Sequence, residues 1–485
     1  MERLSRSELL LRGTALALGA VPFADALTAA AAPTGIFREL DRALRGDVVQ
    51  RGASGYDAAR VDYDTRFDAV KPQAIAFCES LADVQKTVRW ARKHGIHIVP
   101  RSGGHSYGGY STTTGVIVDL SRMHAVSVAA NGHAAAGAGA KLLGVYTALA
   151  NRGRMIPGGT CPTVGIAGLT QGGGIGLSGR KYGLTCDHLL EATVVLADGS
   201  AVVANAHHHP DLYWALRGGG GGNFGIVTRF VFRANPAPAV STYSMEWPWS
   251  NAKEVVQAWQ AFAPHAPDGL SSVLNVSASA GSGTPSITSA GQFVGSEQAL
   301  RALLAPLANA GAPTRLTVTP RTFLGAVHYF AGGGGGGRST FGAKSSISTA
   351  PLSSAGIDAL LHQIELKRTS GTGSGIVLLD SWGGAINRIP KAATAFVHRD
   401  ALFSMQYLAY WNAGEAAAPN LAWLRRCFAA LRPHVSPFAY QNYIDPELPH
   451  WQHAYYGTNL ARLQKVKRAY DPHNVFHFRQ SIRPS

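Results

Sequence analysis

The sequence predicts an α+β protein in two unlike halves, and three observations predict it. A strand, an amphipathic helix and a second strand fill residues 73–100 at the spacing of a βαβ unit. Two hairpin signals follow, at Asn131-Gly132 and Asp198-Gly199. From about residue 240 to 430, β-rich runs alternate with helical periodicity, the pattern of an antiparallel sheet covered by helices.

QAIAF (73–77) is a short buried strand. Ser80 then offers an N-cap, with Asp83 three residues on. Leu81, Val84, Val88 and Ala91 follow at helical spacing, and Gly95 stops the helix. IHIVP (96–100) is the next strand, so the loop RSGGHSYGG (101–109) leaves the C-terminal end of a parallel strand, where such sheets place ligands. GVIVDL is another strand, and KLLGVYTALANRG is a helix closed by Gly153. A glycine loop and a strand, GGGGGNFGIVTRFVFR, end this half at a proline-containing linker at 236–238. Beyond it, strands are expected at SITSAGQFVG, RLTVTPRTF, GIVLLDSWGG and FSMQYLAYW. Helices are expected at KEVVQAWQAFA, SEQALRALLAPLANAG and LAWLRRCFAAL. The glycine run at 331–337 reads as a flexible loop.

Composition narrows the function. The net charge of +15 is spread out, and its densest run, LQKVKRAYDPH, is one helix face. Nucleic-acid binding, which wants basic residues clustered with aromatics, is not expected. The four cysteines form no CxxC pair, and neither a zinc site nor a disulfide framework is expected. His207-His208-His209 reads as a solvated turn rather than a metal site. Residues 1–32 run from basic to apolar to small residues, the layout of a signal peptide. SRSELLLR resembles a twin-arginine signal with Ser7 in place of the second arginine. Export and an amphipathic cytoplasmic N-terminus both stand. No later segment has the ~18 apolar residues of a membrane helix.

The glycine loops carry the function. Consecutive amides in a glycine-rich turn make a concave anion site, and several such loops in one half suggest a dinucleotide pyrophosphate. Gly174-Ile-Gly176-Leu-Ser-Gly179 matches G-x-G-x-x-G, but no strand precedes it and Asp198 lies in a hairpin turn, so a Rossmann site is not expected. His105 and Cys161 each sit in a glycine loop. Two readings stand: His105 hydrogen-bonds a ligand while Cys161 is buried, or both bond covalently to one cofactor.

PRSGGHSYGGYS, PGGTCPTVGIAGLTQGGGIG, LRGGGGGNFGIVT and the tail NYIDPEL…AYYGTNLARLQKVKRAYDPHNVFHFRQSI resemble the berberine bridge enzyme-like oxidases, FAD-linked enzymes of the vanillyl-alcohol oxidase type. The resemblance runs from about residue 65 to the end. It implies a PCMH-type FAD-binding domain at 33–236, an inserted substrate domain at 237–435, and a segment at 436–485 that returns to the FAD domain. It implies covalent FAD through His105 and Cys161. Arg101, Ser102, Gly103, Gly104 and Ser106 would wrap the pyrophosphate. Thr163, Val164, Gly165, Gly168, Gly172, Gly173, Gly174 and Gly176, with Gly225, Ile226 and Val227, would line the cofactor. Asn474 and Gln480 lie in the returning tail.

The same resemblance makes Tyr443 the base, with Asp380 of DSWGG as an acidic partner. A core tyrosine and a structural carboxylate are the plainer readings of those two residues. Many bacterial relatives have tyrosine where Trp382 stands. A small-molecule alcohol, sugar or phenolic substrate would then lose a hydride to the flavin, and dioxygen would be reduced to hydrogen peroxide. Val164, at the position that resembles the family's oxygen gate, points to an oxidase. A same-fold dehydrogenase and a catalytically silent flavin-binding protein are the alternatives. Trp382, Tyr407 and Trp411 offer an aromatic wall for substrate, though core packing would explain them equally.

Overall fold

The computed structural model describes residues 35–281, 283–332 and 337–485. The leader-like segment 1–32 and residues 333–336 of the glycine run lie outside the described residues. No helix among the described residues is long and apolar enough to cross a membrane.

The first sheet holds β1 (Asp47–Gln50), β2 (Ala74–Phe77), β3 (Ile98–Arg101) and β4 (Val116–Asp119), in the order β1-β2-β4-β3. β2 and β3 both run parallel to β4, which is inserted between them. The connecting helix Leu81–His94 starts where the Ser80 hydroxyl accepts the Asp83 amide at 3.2 Å. It stops at Gly95, whose φ of 63° is a left-handed cap.

The second sheet is built from β5 (Val126–Val128), β6 (His133–Gly137) and, after the short β7 (Arg154–Met155), from β8 (Leu189–Val195), β9 (Ala201–Asn205) and β10 (Ile226–Arg233). Its order is β5-β6-β10-β8-β9, and both expected hairpins are present. β11 (Asn235–Pro236) pairs with β7.

The third sheet is antiparallel and seven-stranded. Its strands are β12 (Ala239–Trp247), β13 (Leu270–Ser279), β14 (Ser286–Phe293), β15 (Arg315–Thr322), β16 (Thr340–Ser348), β17 (Ser374–Ser381) and β18 (Phe403–Trp411), in the order β15-β12-β14-β13-β17-β18-β16. Sequence reading found four of them. It missed β12, β13 and β16, the last two rich in serine. All nine residues of β16 are buried, so no exposed face supplies a polar/apolar alternation to read. The helix expected over SEQALRALLAPLANAG is two helices, Glu297–Leu303 and Ala305–Asn309, because Pro306 cannot donate a helical hydrogen bond.

Two large cores follow this division. Tyr243, Trp259, Leu274, Leu379, Met405, Tyr407 and Trp423 belong to the core beneath the seven-stranded sheet. The other core takes Val88, Val118, Leu149, Val194 and Phe230 from the first half, together with Tyr455, Leu463, Phe476 and Ile482 of the tail. The chain therefore leaves the first core, builds the large sheet and comes back.

Candidate active site

Two glycine loops interlock. A Cβ on Gly103 would stand 2.2 Å from the Gly165 nitrogen, and one on Gly165 would stand 2.1 Å from the Ser102 hydroxyl. Only bare backbone permits this approach. The contact seats His105 and Cys161 on one cavity whose empty volume, open mouth included, is about 1580 Å³. Its lining is drawn from Pro100, the Gly220–Gly222 loop, Tyr410 and Phe478 as well as from the two interlocked loops, a spread that suits an extended molecule.

His105 is held on two sides. Its Nε2 lies 2.8 Å from the Thr163 hydroxyl, and the Tyr63 ring stacks on it at 4.0 Å and 19°. Burial, and secondarily Lys141, pull its pKa down to about 4, so the imidazole is neutral at physiological pH. Cys161 is open to the cavity, yet protein crowds it behind that opening, and this burial holds its thiol above the ordinary range.

Among the described residues, the amides of Gly103, Gly104, His105 and Ser106 donate to no protein acceptor. Consecutive free amides of this kind can cradle an anion, and Gly104 at φ 67° turns the backbone between them. Gln441 lines the same cavity, and its Oε1 is buried with no protein partner. A ligand carrying both an anionic group and a ring N–H fits this pair of demands.

Several expected contacts differ. The Arg101 guanidinium faces inward: its Nε is 2.7 Å from Asp119 and Nη1 3.6 Å from Asp62, so it braces the loop and does not reach the cavity. Ser102, Val164, Gly165, Gly168, Gly225 and Val227 line the cavity, whereas Ile226 is buried behind it. Gly172, Gly173, Gly174 and Gly176 are bare for packing: their added Cβ atoms would meet Asn442, Phe396, Thr185 and the Gly158 carbonyl. Asn474 is off the cavity in a left-handed turn, φ 53°. Gln480 is also off it, donating to the Asp445 carbonyl at 2.8 Å and accepting from Tyr110 at 3.2 Å. The tail reaches the cavity through His477 and Phe478 instead.

Trp382, Tyr407 and Trp411 form no substrate wall, and strand parity explains the last two. Along β18, Phe403, Met405, Tyr407, Ala409 and Trp411 share the face packed into the core. The opposite face carries Ser404, Gln406 and Tyr410. Tyr410 lines the cavity and stacks on its cross-strand partner Phe341 at 5.5 Å. Trp382 is fully buried; its Nε1 donates to the Ser404 hydroxyl at 3.1 Å, and that hydroxyl donates to Asp380 at 3.3 Å. It supports Asp380 from behind.

Tyr443 is on the cavity, in the turn Gln441–Tyr443. Burial first, then the charge of Asp380, hold its pKa well above the usual phenol range. Asp380 itself is pushed up to about 6 by burial. Tyr107, which the sequence reading passed over although it stands two residues after His105, stacks on Tyr443 at 5.6 Å and 10°. Gln406 Nε2 donates to the Tyr107 oxygen at 2.8 Å. Among the described residues, no Asp, Glu, Lys or Arg side chain lines the cavity.

The turn bearing Tyr443 is pinned from both halves. Asp445, two residues on, takes the buried Lys344 ammonium of β16 at 2.9 Å, and its backbone amide donates to the Tyr455 hydroxyl at 2.8 Å.

The family model described as "FAD binding domain" matches residues 72–205, and "Berberine and berberine like" matches 439–483. The FAD-linked oxidoreductase YgaK of Bacillus subtilis is 36% identical over 447 residues, covering 91% of this chain and 97% of that protein. BBE-like 1 of Physcomitrella patens superposes with a TM-score of 0.85 at 33% identity, covering 93% of this chain and all of that one. A glucooligosaccharide oxidase of Acremonium strictum, described as holding 6-S-cysteinyl, 8α-N1-histidyl FAD, superposes at 0.83 with 28% identity, covering 93% of this chain and 100% of that one.

Proposed function

This chain belongs to the berberine bridge enzyme-like, FAD-linked oxidoreductases, and on that premise we propose an oxidase whose FAD is attached through both His105 and Cys161. In this reading it oxidises an uncharged hydroxylated substrate, a sugar, alcohol or phenolic, and passes the electrons to dioxygen as hydrogen peroxide. The observation that carries the reading is the meeting of His105, Cys161 and Tyr443 on one cavity.

Bound FAD would supply the two-electron acceptor. The chain does the rest. The free amides of Gly103–Ser106 hold the pyrophosphate, and Gln441 Oε1 accepts from a ring N–H. Tyr443 draws the proton from the substrate hydroxyl. Its high pKa keeps it protonated, so it can take that proton only while giving up its own, and Asp380, ionised above about pH 6, is the carboxylate that would receive it. Tyr107, its oxygen already accepting from Gln406, has its own proton free to bond the substrate oxygen. Tyr63, Phe341 and Tyr410 offer apolar faces to a sugar or phenolic ring. That no charged side chain lines the cavity among the described residues favours an uncharged substrate in spite of the net positive charge. Val164 is small enough to leave dioxygen room beside the cofactor.

The test is to denature and digest the purified protein, weigh the flavin-bearing peptides, and screen sugars, alcohols and phenolics for peroxide release. One flavin joining the His105 and Cys161 peptides, with peroxide formed, is expected. Protein expressed with ample FAD and carrying none covalently would overturn the reading. Fast dye reduction with slow oxygen reaction would make it a dehydrogenase.

A further inference from the structure

The contacts around His105 say which nitrogen is free. Thr163 occupies Nε2 at 2.8 Å. Tyr63 covers a ring face, and its own backbone amide donates to the Gly104 carbonyl at 2.9 Å, so the stack is anchored to the loop. Nδ1 makes no hydrogen bond to protein among the described residues, and His105 faces the cavity. Thr163 cannot drift, because its carbonyl would lie 2.7 Å from a Cβ on Gly103, within the interlocked loops.

We propose that Thr163 is a positioning residue for flavin attachment: its hydroxyl accepts the Nε2 proton of His105 and so fixes the tautomer whose Nδ1 lone pair points at the cofactor. The inference rests on the covalent reading above and goes beyond it by naming the residue that holds His105 in the tautomer whose Nδ1 is free to attack. A neutral imidazole has one proton to place. With that proton on Nε2 and held by Thr163, Nδ1 is the nucleophile. With it on Nδ1, neither nitrogen is both free and facing the cavity.

The step balances without an external catalyst. A bond forms between Nδ1 and the 8α carbon of the flavin. One proton leaves that methyl carbon and one leaves the imidazole at Nε2, which Thr163 hydrogen-bonds but cannot deprotonate; both protons would be taken up by the flavin ring as it is reduced. The two electrons stay on the flavin ring, which is thereby reduced. Dioxygen, the acceptor of the proposed oxidase cycle, removes them as hydrogen peroxide.

The experiment expresses wild type, Thr163→Val and Thr163→Ser under riboflavin limitation, adds FAD, quenches at intervals, and weighs the peptides bearing His105 and Cys161. Attachment at His105 is expected to slow about tenfold or more in Thr163→Val, the worth of one hydrogen bond in the attacking arrangement. Thr163→Ser should restore it. Attachment at Cys161 in the same Thr163→Val sample serves as the control for folding and FAD binding, because a merely structural defect would slow both links. The histidyl linkage in wild type and Thr163→Ser should be through Nδ1. Equal rates at His105 in wild type and Thr163→Val, or linkage through Nε2, would overturn this inference alone. Equal slowing of both links in Thr163→Val, with no rescue by serine, would also overturn it. Wild type with no flavin on the His105 peptide would overturn both it and the reading beneath it.

Discussion

Tyr107 and Tyr443 lie face to face, 5.6 Å between ring centroids and 10° from parallel. One comes from the loop that carries His105, the other from the returning tail. Their hydroxyls can therefore address one substrate oxygen only when the tail is docked. Gln406 breaks the symmetry of the pair by donating to Tyr107.

This asymmetry gives different outcomes for the two phenols. Tyr443→Phe is expected to slow flavin reduction by roughly 10²–10⁴-fold, the worth of a positioned base. Tyr107→Phe should cost about tenfold, the worth of one hydrogen bond. Anaerobic stopped-flow bleaching of the flavin by a working substrate separates them. Equal losses would mean that Tyr107 shares the proton transfer.

Asp380 predicts a pH dependence. Its folded pKa of about 6 lies above the ordinary carboxyl value, because burial disfavours the charge. Below pH 6 it is protonated and cannot assist Tyr443, so kcat/KM should fall as pH drops through that region. Asp380→Asn should be slower and should lose this limb of the profile. For stability the sign is opposite: a raised carboxyl pKa costs the folded state increasingly as pH rises from about 4 to about 6. Thermal melts of Asp380→Asn against wild type should show the variant relatively more stable at pH 7 than at pH 4.

Strand parity on β18 can be read by a pair of substitutions. Tyr407→Ala empties a core site and should destabilise by about 3–5 kcal/mol. Tyr410→Ala, on the cavity face, should leave denaturant stability nearly unchanged and raise KM. Chemical denaturation alongside steady-state kinetics checks both.

Arg180 joins the halves and, among the described residues, makes no ion pair within 4 Å. It is 2% exposed and donates to the carbonyls of Pro264 at 2.7 Å and Leu270 at 2.8 Å, and to those of Ala266 and Trp382. Gly383 is bare because a Cβ there would stand 2.9 Å from this guanidinium. Arg180→Ala leaves several buried carbonyls unpaired and should cost at least about 3 kcal/mol. Because these carbonyls flank the end of β17, a lower kcat in the surviving folded fraction is also expected.

Gly165→Ala should separate the two loops, since its Cβ would meet the Ser102 hydroxyl and the Gly103 nitrogen inside 2.4 Å. Protein that lacks both covalent links and yet melts cooperatively is the expected result, read by peptide mass and calorimetry.

The amino-acid sequence by itself determined the local features whose cause is local. Ser80 and Gly95 bound a helix, Asn131-Gly132 and Asp198-Gly199 turn hairpins, and the bare loops around His105 and Cys161 announce a close backbone approach. Tertiary structure decided what depends on which face meets which. Trp411 and Tyr410 are neighbours in sequence, and only the packing of β18 says that one enters the core and the other the cavity. The glycines at 172–176 look like the glycines at 103–104, but their missing Cβ atoms make room for Asn442, Phe396 and Thr185 rather than for a ligand. Arg101 reads as an anion ligand until Asp62 and Asp119 are found around it. A residue type constrains the chemistry it can do. Its direction is set by contacts made across the chain, and those contacts place Tyr107 against Tyr443 and Thr163 against His105.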